Sequence, residues 1–394
     1  MRKLLPTALA LAALLVAAVI WQARPAPAAP QAALTPLPAP TEAPSAYARA
    51  TEPGGMAFPR DLGPHPAYQT EWWYYTGNLA TAAGRPFGFQ LTFFRRALTP
   101  PTAGAPDCPA GECSDWRSNQ LYLAHFALSD VAGDAFYAHE RFSRAAAGLA
   151  GAQADPYRVW LEHWSAAASV PDQVRLQAAV EGVGLDLSLT QTLPPILHGQ
   201  AGLSPKGPEP GNASYYYSIV QQQVEGSLTA GGEQHAVTGR AWKDHEYGTS
   251  ALGPGAVGWD WFSLQFEDGS ALMFFQIRSQ DGRLEPASSG TFVLPDGATR
   301  HLTLENWSVE VLDDWASPVS GAIYPAGWRI QLSAGAELAL EIEGRPLLAN
   351  QELNLSTVYW EGAVEFDGQL NGRPAHAVGY IELTGYAEPM TGRL

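Results

Sequence analysis

Glu71-Trp72-Trp73-Tyr74-Tyr75 runs through a short turn into Phe89-Gln90-Leu91-Thr92-Phe93-Phe94-Arg95, and the reading of this pair decides the fold. In the second segment Phe87, Phe89, Leu91 and Phe93 alternate with Gly88, Gln90 and Thr92. Side chains leave a strand on opposite faces in turn, so the alternation marks a strand with one buried face. Leu185, Leu187 and Leu189 repeat it against Asp186, Ser188 and Thr190, and Leu338, Leu340 and Ile342 repeat it further on. Asp268-Gly269, Asp281-Gly282, Asp296-Gly297 and Asp367-Gly368 supply hairpin turns between apolar runs. Beyond the N-terminal segment no long stretch carries helical periodicity. The expected fold is all-β and antiparallel.

The chain makes the statement twice. Trp259-Asp260-Trp261-Phe262-Ser263 leads across Asp268-Gly269 into Met273-Phe274-Phe275-Gln276-Ile277-Arg278. This is again an aromatic strand, a hairpin and an apolar strand closed by Arg. The ends correspond too. Val224-Glu225-Gly226 runs on to His235-Ala236-Val237-Thr238-Gly239, and Trp360-Glu361-Gly362 runs on to His376-Ala377-Val378-Gly379. The same order in two copies indicates two related β domains, 58–248 and 249–394, each closing as an up-and-down barrel or a sandwich. Two such bodies side by side leave a cleft, a common place for ligands.

With 394 residues, 46% hydrophobic and 11% aromatic, the chain can bury a core in each half. Its 39 Gly and 32 Pro favour short strands and turns over long helices. A formal net charge of −16 argues against a nucleic-acid partner, which needs a basic face. Met1-Arg2-Lys3, the apolar run Leu4 to Trp21 and the small residues of Ala26-Pro27-Ala28 read as an export signal over 1–28, with 29–57 an Ala/Pro-rich spacer. Export to the periplasm or the exterior is expected, and the length of the run leaves an uncleaved membrane anchor open. Cys108 and Cys113 stand in a Pro/Gly-rich loop, where a disulfide is the expected state in an oxidising compartment.

Trp242-Lys243-Asp244-His245-Glu246-Tyr247-Gly248 closes the first copy and so falls at the seam. Two carboxylates, an imidazole and an ammonium stand there between aromatic residues, in a chain with only 16% charged residues. A carboxyl among aromatic rings keeps its proton near neutral pH, as a proton donor must. The same residues could instead form a turn that clasps the two domains together. The second copy reads Glu382-Leu383-Thr384-Gly385-Tyr386 at this point and lacks the Asp-His-Glu cluster. Asp260 is a second candidate acid, although alternation would put Trp259 and Trp261 on one face and Asp260 on the other. No metal or cofactor is expected: no His-Glu-x-x-His occurs, the nine histidines are scattered, and no Gly-rich phosphate loop is present. A Gly-x-Ser-x-Gly elbow is lacking as well.

His65-Pro66, Thr70 to Gly77, Trp242 to Gly248, Gly258-Trp259-Asp260-Trp261-Phe262 and Tyr359-Trp360-Glu361-Gly362 together resemble one family. It is the exported, lipocalin-like family often labelled "predicted secreted hydrolase", which includes transport-operon-associated proteins and is related to carotenoid 1,2-hydratase (hydroxyneurosporene synthase). The resemblance spans about Pro59 to Tyr386 and implies two consecutive lipocalin-like antiparallel β-barrels. It points to hydration of a carbon–carbon double bond in an apolar, isoprenoid or lipid-like substrate. That chemistry asks for a carboxylic acid in an apolar pocket and aromatic faces around a cation. Asp244, His245, Glu246 and Asp260 are the expected acid/base residues. Trp72, Trp73, Tyr75, His125, Trp242, Tyr247, Trp259 and Trp261 are expected around the substrate. The other reading is a non-catalytic carrier of hydrophobic ligands associated with an ABC transporter.

Overall fold

Alternating apolar residues build two antiparallel sheets in the computed structural model, which describes residues 47–100, 118–170, 172–249, 252–253 and 255–390. The export segment and the Cys108–Cys113 pair lie outside the described residues. The first sheet opens with β1 (Thr70–Ala80), β2 (Pro86–Ala97), β3 (Gln120–Asp130) and β4 (Ala135–Arg144). It continues through β5 (Ala150–Ala154), β6 (Tyr157–Leu161), β7 (Trp164–Val170), β8 (Gln173–Val180) and β9 (Val183–Gln191). The short β10 (Ile196–Leu197) and β11 (Leu203–Pro205) precede the long β12 (Ala213–Ala230) and β13 (Glu233–Gly248). The strand order is β4-β3-β2-β1-β13-β12-β9-β8-β7-β6-β5, so the sheet curls with β1 and β13 at its middle.

The second sheet starts with β14 (Ala256–Phe266), β15 (Ala271–Ser279), β16 (Ser289–Val293) and β17 (Thr299–Thr303). Next come β18 (Trp307–Ala316), β19 (Ile323–Ser333), β20 (Ala339–Pro346) and β21 (Glu352–Asn354). It ends on β22 (Val358–Leu370) and β23 (Arg373–Leu383). Its order, β17-β16-β15-β14-β23-β22-β20-β19-β18, repeats the middle of the first. No α-helix occurs among the described residues. The expected all-β architecture of two barrel-like bodies holds, the first sheet nearly closed and the second a half-barrel.

Each sheet buries one face inside its own curl. Trp73, Tyr75, Phe89, Leu91, Phe126 and Trp164 fill the first, and Phe262, Phe274, Trp328, Ile330, Trp360 and Phe366 fill the second. Burying such side chains contributes roughly 1.5–3 kcal/mol each, and it leaves both curls packed with the chain's own side chains.

A third core lies between the sheets. The outer faces of β1, β12 and β13 meet those of β14, β15, β22 and β23 through Tyr74, Tyr216, Trp242, Trp261, Met273 and Phe275. Polar ties fix the approach: Gln265 donates to the carbonyls of Val220 (2.7 Å) and Ala241 (3.0 Å), and Asn78 donates to that of Gly379 (3.0 Å). Gly88 makes it close, since a Cβ there would lie 2.7 Å from the Cβ of Ala363 and 2.9 Å from the Tyr380 hydroxyl. The whole arrangement forms one compact unit. The end of the stretch read as a spacer is part of it. Tyr47 and Ala50 are buried, the Tyr47 hydroxyl donates to the Ala97 carbonyl, and the Ala57 N–H donates to Asp61.

Candidate active site

β13 is a central strand rather than an interdomain turn, and its alternation divides the seven-residue motif. Trp242, Asp244 and Glu246 face outward to the second sheet, whereas Lys243, His245 and Tyr247 face into the first curl. The motif is therefore two sites back to back.

The inward group is a closed hydrogen-bond network. His245 Nε2 lies 2.8 Å and His65 Nδ1 2.7 Å from the same Glu71 oxygen, while Arg95 Nε donates to the other at 2.8 Å. Arg95 also donates to Gln120 and to the carbonyls of His65 and Tyr68. The other nitrogens of His245 and His65 meet the Tyr217 hydroxyl and Asp61. Burial would raise the Glu71 carboxyl, but His245, His65 and Arg95 overcome it and hold the group well below the usual carboxylate range. Burial lowers His245 to about 4 despite Glu71, so the imidazole is neutral. His65, Glu71 and His245 bring three ligand atoms within 4.8 Å of one another. Every one of those ring nitrogens already has a protein partner, and the Arg95 guanidinium supplies the positive charge. The group fits a structural clasp better than a metal centre. Beside it Lys243 is buried among the rings of Tyr75, Tyr157 and Tyr217, 4.6–5.6 Å from their centroids, and burial alone brings its ammonium down to about 7.

The outward group opens on a cavity of about 140 Å³ between the sheets. Trp72, Tyr74, Tyr216, Trp259, Trp261 and Phe275 contribute aromatic walls. Asp244 accepts from the Ser218 hydroxyl, from Trp242 Nε1 (2.6 Å) and from the Tyr216 hydroxyl (2.6 Å). Burial pushes it up, those three donors pull it back, and the nearby Glu246 charge raises it again, leaving it at about 7. His198 stands behind it, with Nε2 2.6 Å from the Ser218 oxygen and Nδ1 2.9 Å from that of Thr291. Because Ser218 spends its proton on Asp244, His198 must donate through Nε2. Glu246 accepts from Ser214 and pairs with Lys206 Nζ at 3.1 Å, itself 3.9 Å from the centre of the Phe275 ring.

The second sheet adds two acids that the motif reading passed over. Glu361 and Glu382 stand directly opposite each other on β22 and β23, and both line the cavity. Facing carboxylates repel. Burial raises Glu382 to about 7, with Trp259 Nε1 donating to it at 2.7 Å and the charges of Asp244 and Glu246 pushing it further. Burial and the Glu382 charge push Glu361 well above the carboxylate range. Neither Glu361 oxygen has a formed hydrogen bond, although the Tyr74 and Tyr359 hydroxyls lie close by. Register explains the convergence. Trp72 pairs with Glu246 as Trp261 pairs with Glu382, and Tyr216 faces Glu246 as Glu361 faces Glu382. The second copy thus keeps one carboxylate of the cluster, Glu382, while Tyr380 and Ile381 fill the places of Asp244 and His245.

Of the expected residues, Asp244, Glu246, Trp72, Trp259 and Trp261 meet at the cavity, and Trp242 supports it by its bond to Asp244. Six expected positions lie elsewhere, each for a reason of strand geometry. His245, Trp73 and Tyr75 point into the first curl, where the His245 and Trp73 rings stack at 4.9 Å and Tyr75 bonds Tyr157. Tyr247 stacks flat on His65 at 3.5 Å. Asp260 turns away from its flanking tryptophans to Arg278 (2.9 Å) and Tyr386, the second copy's counterpart of the Glu71–Arg95 pair. His125 lies between the sheets but outside the cavity, with Nδ1 2.7 Å from the Tyr359 hydroxyl and Nε2 3.0 Å from Glu140. Lys206, Ser218 and His198 carry no local motif. Glu361 stood in the quoted repeat word Trp360-Glu361-Gly362, where its pairing with Glu382 was the missed signal.

The family profile described as AttH-like matches residues 49–386. An AttH-type protein of Nitrosomonas europaea is 38% identical and superposes with a TM-score of 0.74, over 86% of this chain and 99% of that one. Kievitone hydratase of Nectria haematococca shares the fold at 14% identity and a TM-score of 0.62, over 87% of this chain and 99% of its own. No curated protein matches the sequence significantly.

Proposed function

The chain belongs to the AttH-like family, and from that premise we propose that it is a hydratase. It adds water across a carbon–carbon double bond of an apolar, isoprenoid or lipid-like substrate held between the two sheets, outside the cytosol. The observation that carries the reading is the set of desolvated carboxyls Glu361, Glu382 and Asp244, all pushed upward in an aromatic cavity. Carriage of an apolar ligand needs no such groups, and burying each of them is unfavourable. A solved protein of the same fold is a hydratase, which agrees with the reading.

The roles follow from the partners. Glu361, with no donor bonded to stabilise its anion, is the acid that protonates the alkene carbon. The tertiary cation so formed lies against the faces of Trp72 and Trp261, where a ring quadrupole contributes about 0.5–2 kcal/mol. Asp244, held by three donors, is the base that takes a proton from the water as its oxygen bonds to the cation. The alkene gains one hydrogen from Glu361 and one hydroxyl from the water, and Asp244 ends with the other proton of that water. The test is incubation with acyclic isoprenoids that end in an isopropylidene group, in H₂¹⁸O, followed by mass spectrometry. A product heavier by one labelled water supports the reading. A panel recovered unchanged, together with unaltered apolar ligand extracted from the native protein, would sink it.

A further inference from the structure

A line of polar groups crosses from the solvent edge of the molecule to the back of Glu361. Glu140 on β4 keeps 14% of its side chain exposed and accepts from the hydroxyl of Ser356, which precedes β22. Its Oε2 lies 3.0 Å from His125 Nε2. The other ring nitrogen, Nδ1, lies 2.7 Å from the Tyr359 hydroxyl, and both groups are buried. Tyr359 and Glu361 are two residues apart on one face of β22, so the hydroxyl comes up to the carboxyl without a bond formed at rest. Gln90 steadies the same hydroxyl from β2 at 3.4 Å. Glu140 and His125 belong to the first sheet, Ser356, Tyr359 and Glu361 to the second, and the line is continuous only because the two are docked.

We propose that Glu140, His125 and Tyr359 form a proton relay that reloads Glu361 from solvent while the cavity stays closed. The inference rests on Glu361 being the acid of the proposed hydration. After each turnover Glu361 is a carboxylate and Asp244 carries the extra proton, so the site is chemically complete but displaced by one proton. Asp244 loses its proton as the product leaves. In the relay, Glu140 takes a proton from water and passes it to His125 Nε2. The ring releases its Nδ1 proton to the Tyr359 oxygen, and the hydroxyl proton of Tyr359 passes to Glu361. The His125 ring gains a proton at Nε2 and gives one up at Nδ1, the Tyr359 oxygen gains one and gives one up, and a return of the ring to its Nδ1–H tautomer resets the line. The net change is one proton removed from water at Glu140 and one O–H bond made at Glu361, with no change of oxidation state. His125 is thus a relay residue and not a substrate contact.

The test needs no substrate. The carbonyl stretch of a protonated, buried carboxyl shifts in D₂O, and Glu361→Gln assigns the band. Infrared spectra after rapid mixing into D₂O give the exchange rate at Glu361. Tyr359→Phe, which removes only the hydroxyl, and His125→Gln are each expected to slow exchange at least tenfold, with unchanged β-sheet spectra and melting profiles. Imidazole added to His125→Gly is expected to restore the rate. An exchange rate unaltered in both Tyr359→Phe and His125→Gln would overturn the relay while leaving the acid in place. A spectrum in which Glu361→Gln removes no carboxyl band would overturn both the relay and the assignment of Glu361 as acid.

Discussion

The two faces of β13 carry nearly the same chemistry to opposite ends. Inside the first curl, Glu71 collects hydrogen bonds from two histidines and an arginine, and its charge is held firmly in place. One strand thickness away, Asp244 and Glu361 are equally buried and Glu382 nearly so; desolvation holds Asp244 and Glu382 up at about 7 and pushes Glu361 well above the carboxylate range. Burial is common to both sides. What differs is the charge nearby, the Arg95 cation beside Glu71 against further carboxyls beside Asp244 and Glu382, and that charge separates a clasp from a group that keeps its proton.

The sharpest way to break the contrast is to exchange the roles by mutation. Glu361→Gln removes the proposed proton donor without removing volume, and turnover of a hydrated substrate is expected to fall at least ~10³-fold, with the fold intact by circular dichroism. Glu71→Gln should do the reverse. It strands the buried Arg95, so a loss of about 3–5 kcal/mol in denaturant unfolding is expected. A Glu71→Gln protein of full stability would show that the inward network is dispensable.

The pH dependence of stability separates the faces next. Asp244 and Glu382 have folded pKa values near 7, above their unfolded values of 3.8 and 4.5, so the folded protein binds more protons between those limits. Their contribution is complete below about pH 4 and is lost as pH rises through 7. Glu71 and Asp61 act in the other direction. Their folded values are depressed, Asp61 to about 2, so their contribution is present above the usual carboxylate range and is lost as pH falls below about 4. Asp244→Asn is expected to raise the melting temperature at pH 8 by a few degrees (~1 kcal/mol gives about 2–4 °C in domains of this size) and to flatten the decline between pH 4 and 7. An unchanged slope in thermal scans would place the titrating group elsewhere.

The smallest effect belongs to Lys243. Its folded value near 7 lies below the unfolded 10.5, so the unfolded chain binds the extra proton and stability from this group rises with pH between those values. Lys243→Met is expected to leave activity unchanged and to add about 1 kcal/mol at pH 7 in chemical unfolding. A stability loss would mean that the contact of the ammonium with the three tyrosine rings outweighs its desolvation.

Strands, turns and the duplicated plan were legible because they depend on nearest neighbours along the chain. Phe87 to Phe93 and Leu185 to Leu189 alternate wherever they are placed, and the paired aromatic openings did superpose in register. The candidate site was half legible. Asp244 and Glu246 could be picked out as acids at a seam, but reading Asp244-His245-Glu246 as one centre ignored that successive strand residues part company. Glu361 and Glu382 escaped notice because neither stands in a charged cluster. They gain their character from facing each other across β22 and β23 and from Asp244 across the docked sheets, separations of 21 and 117 residues or more along the chain. His198 and Lys206 lie among turns and short strands whose position depends on the same docking.

Gly88, where two sheets come within a methyl group of touching, bears on how the molecule would fail. Neither sheet alone encloses the cavity: each presents an aromatic, acid-bearing outer surface, and the chamber exists only where the two surfaces are pressed together. Gly88→Val would wedge that seam while leaving both interiors packed. The cavity would then be lost before the fold was, with two intact shells and no room between them of the right size.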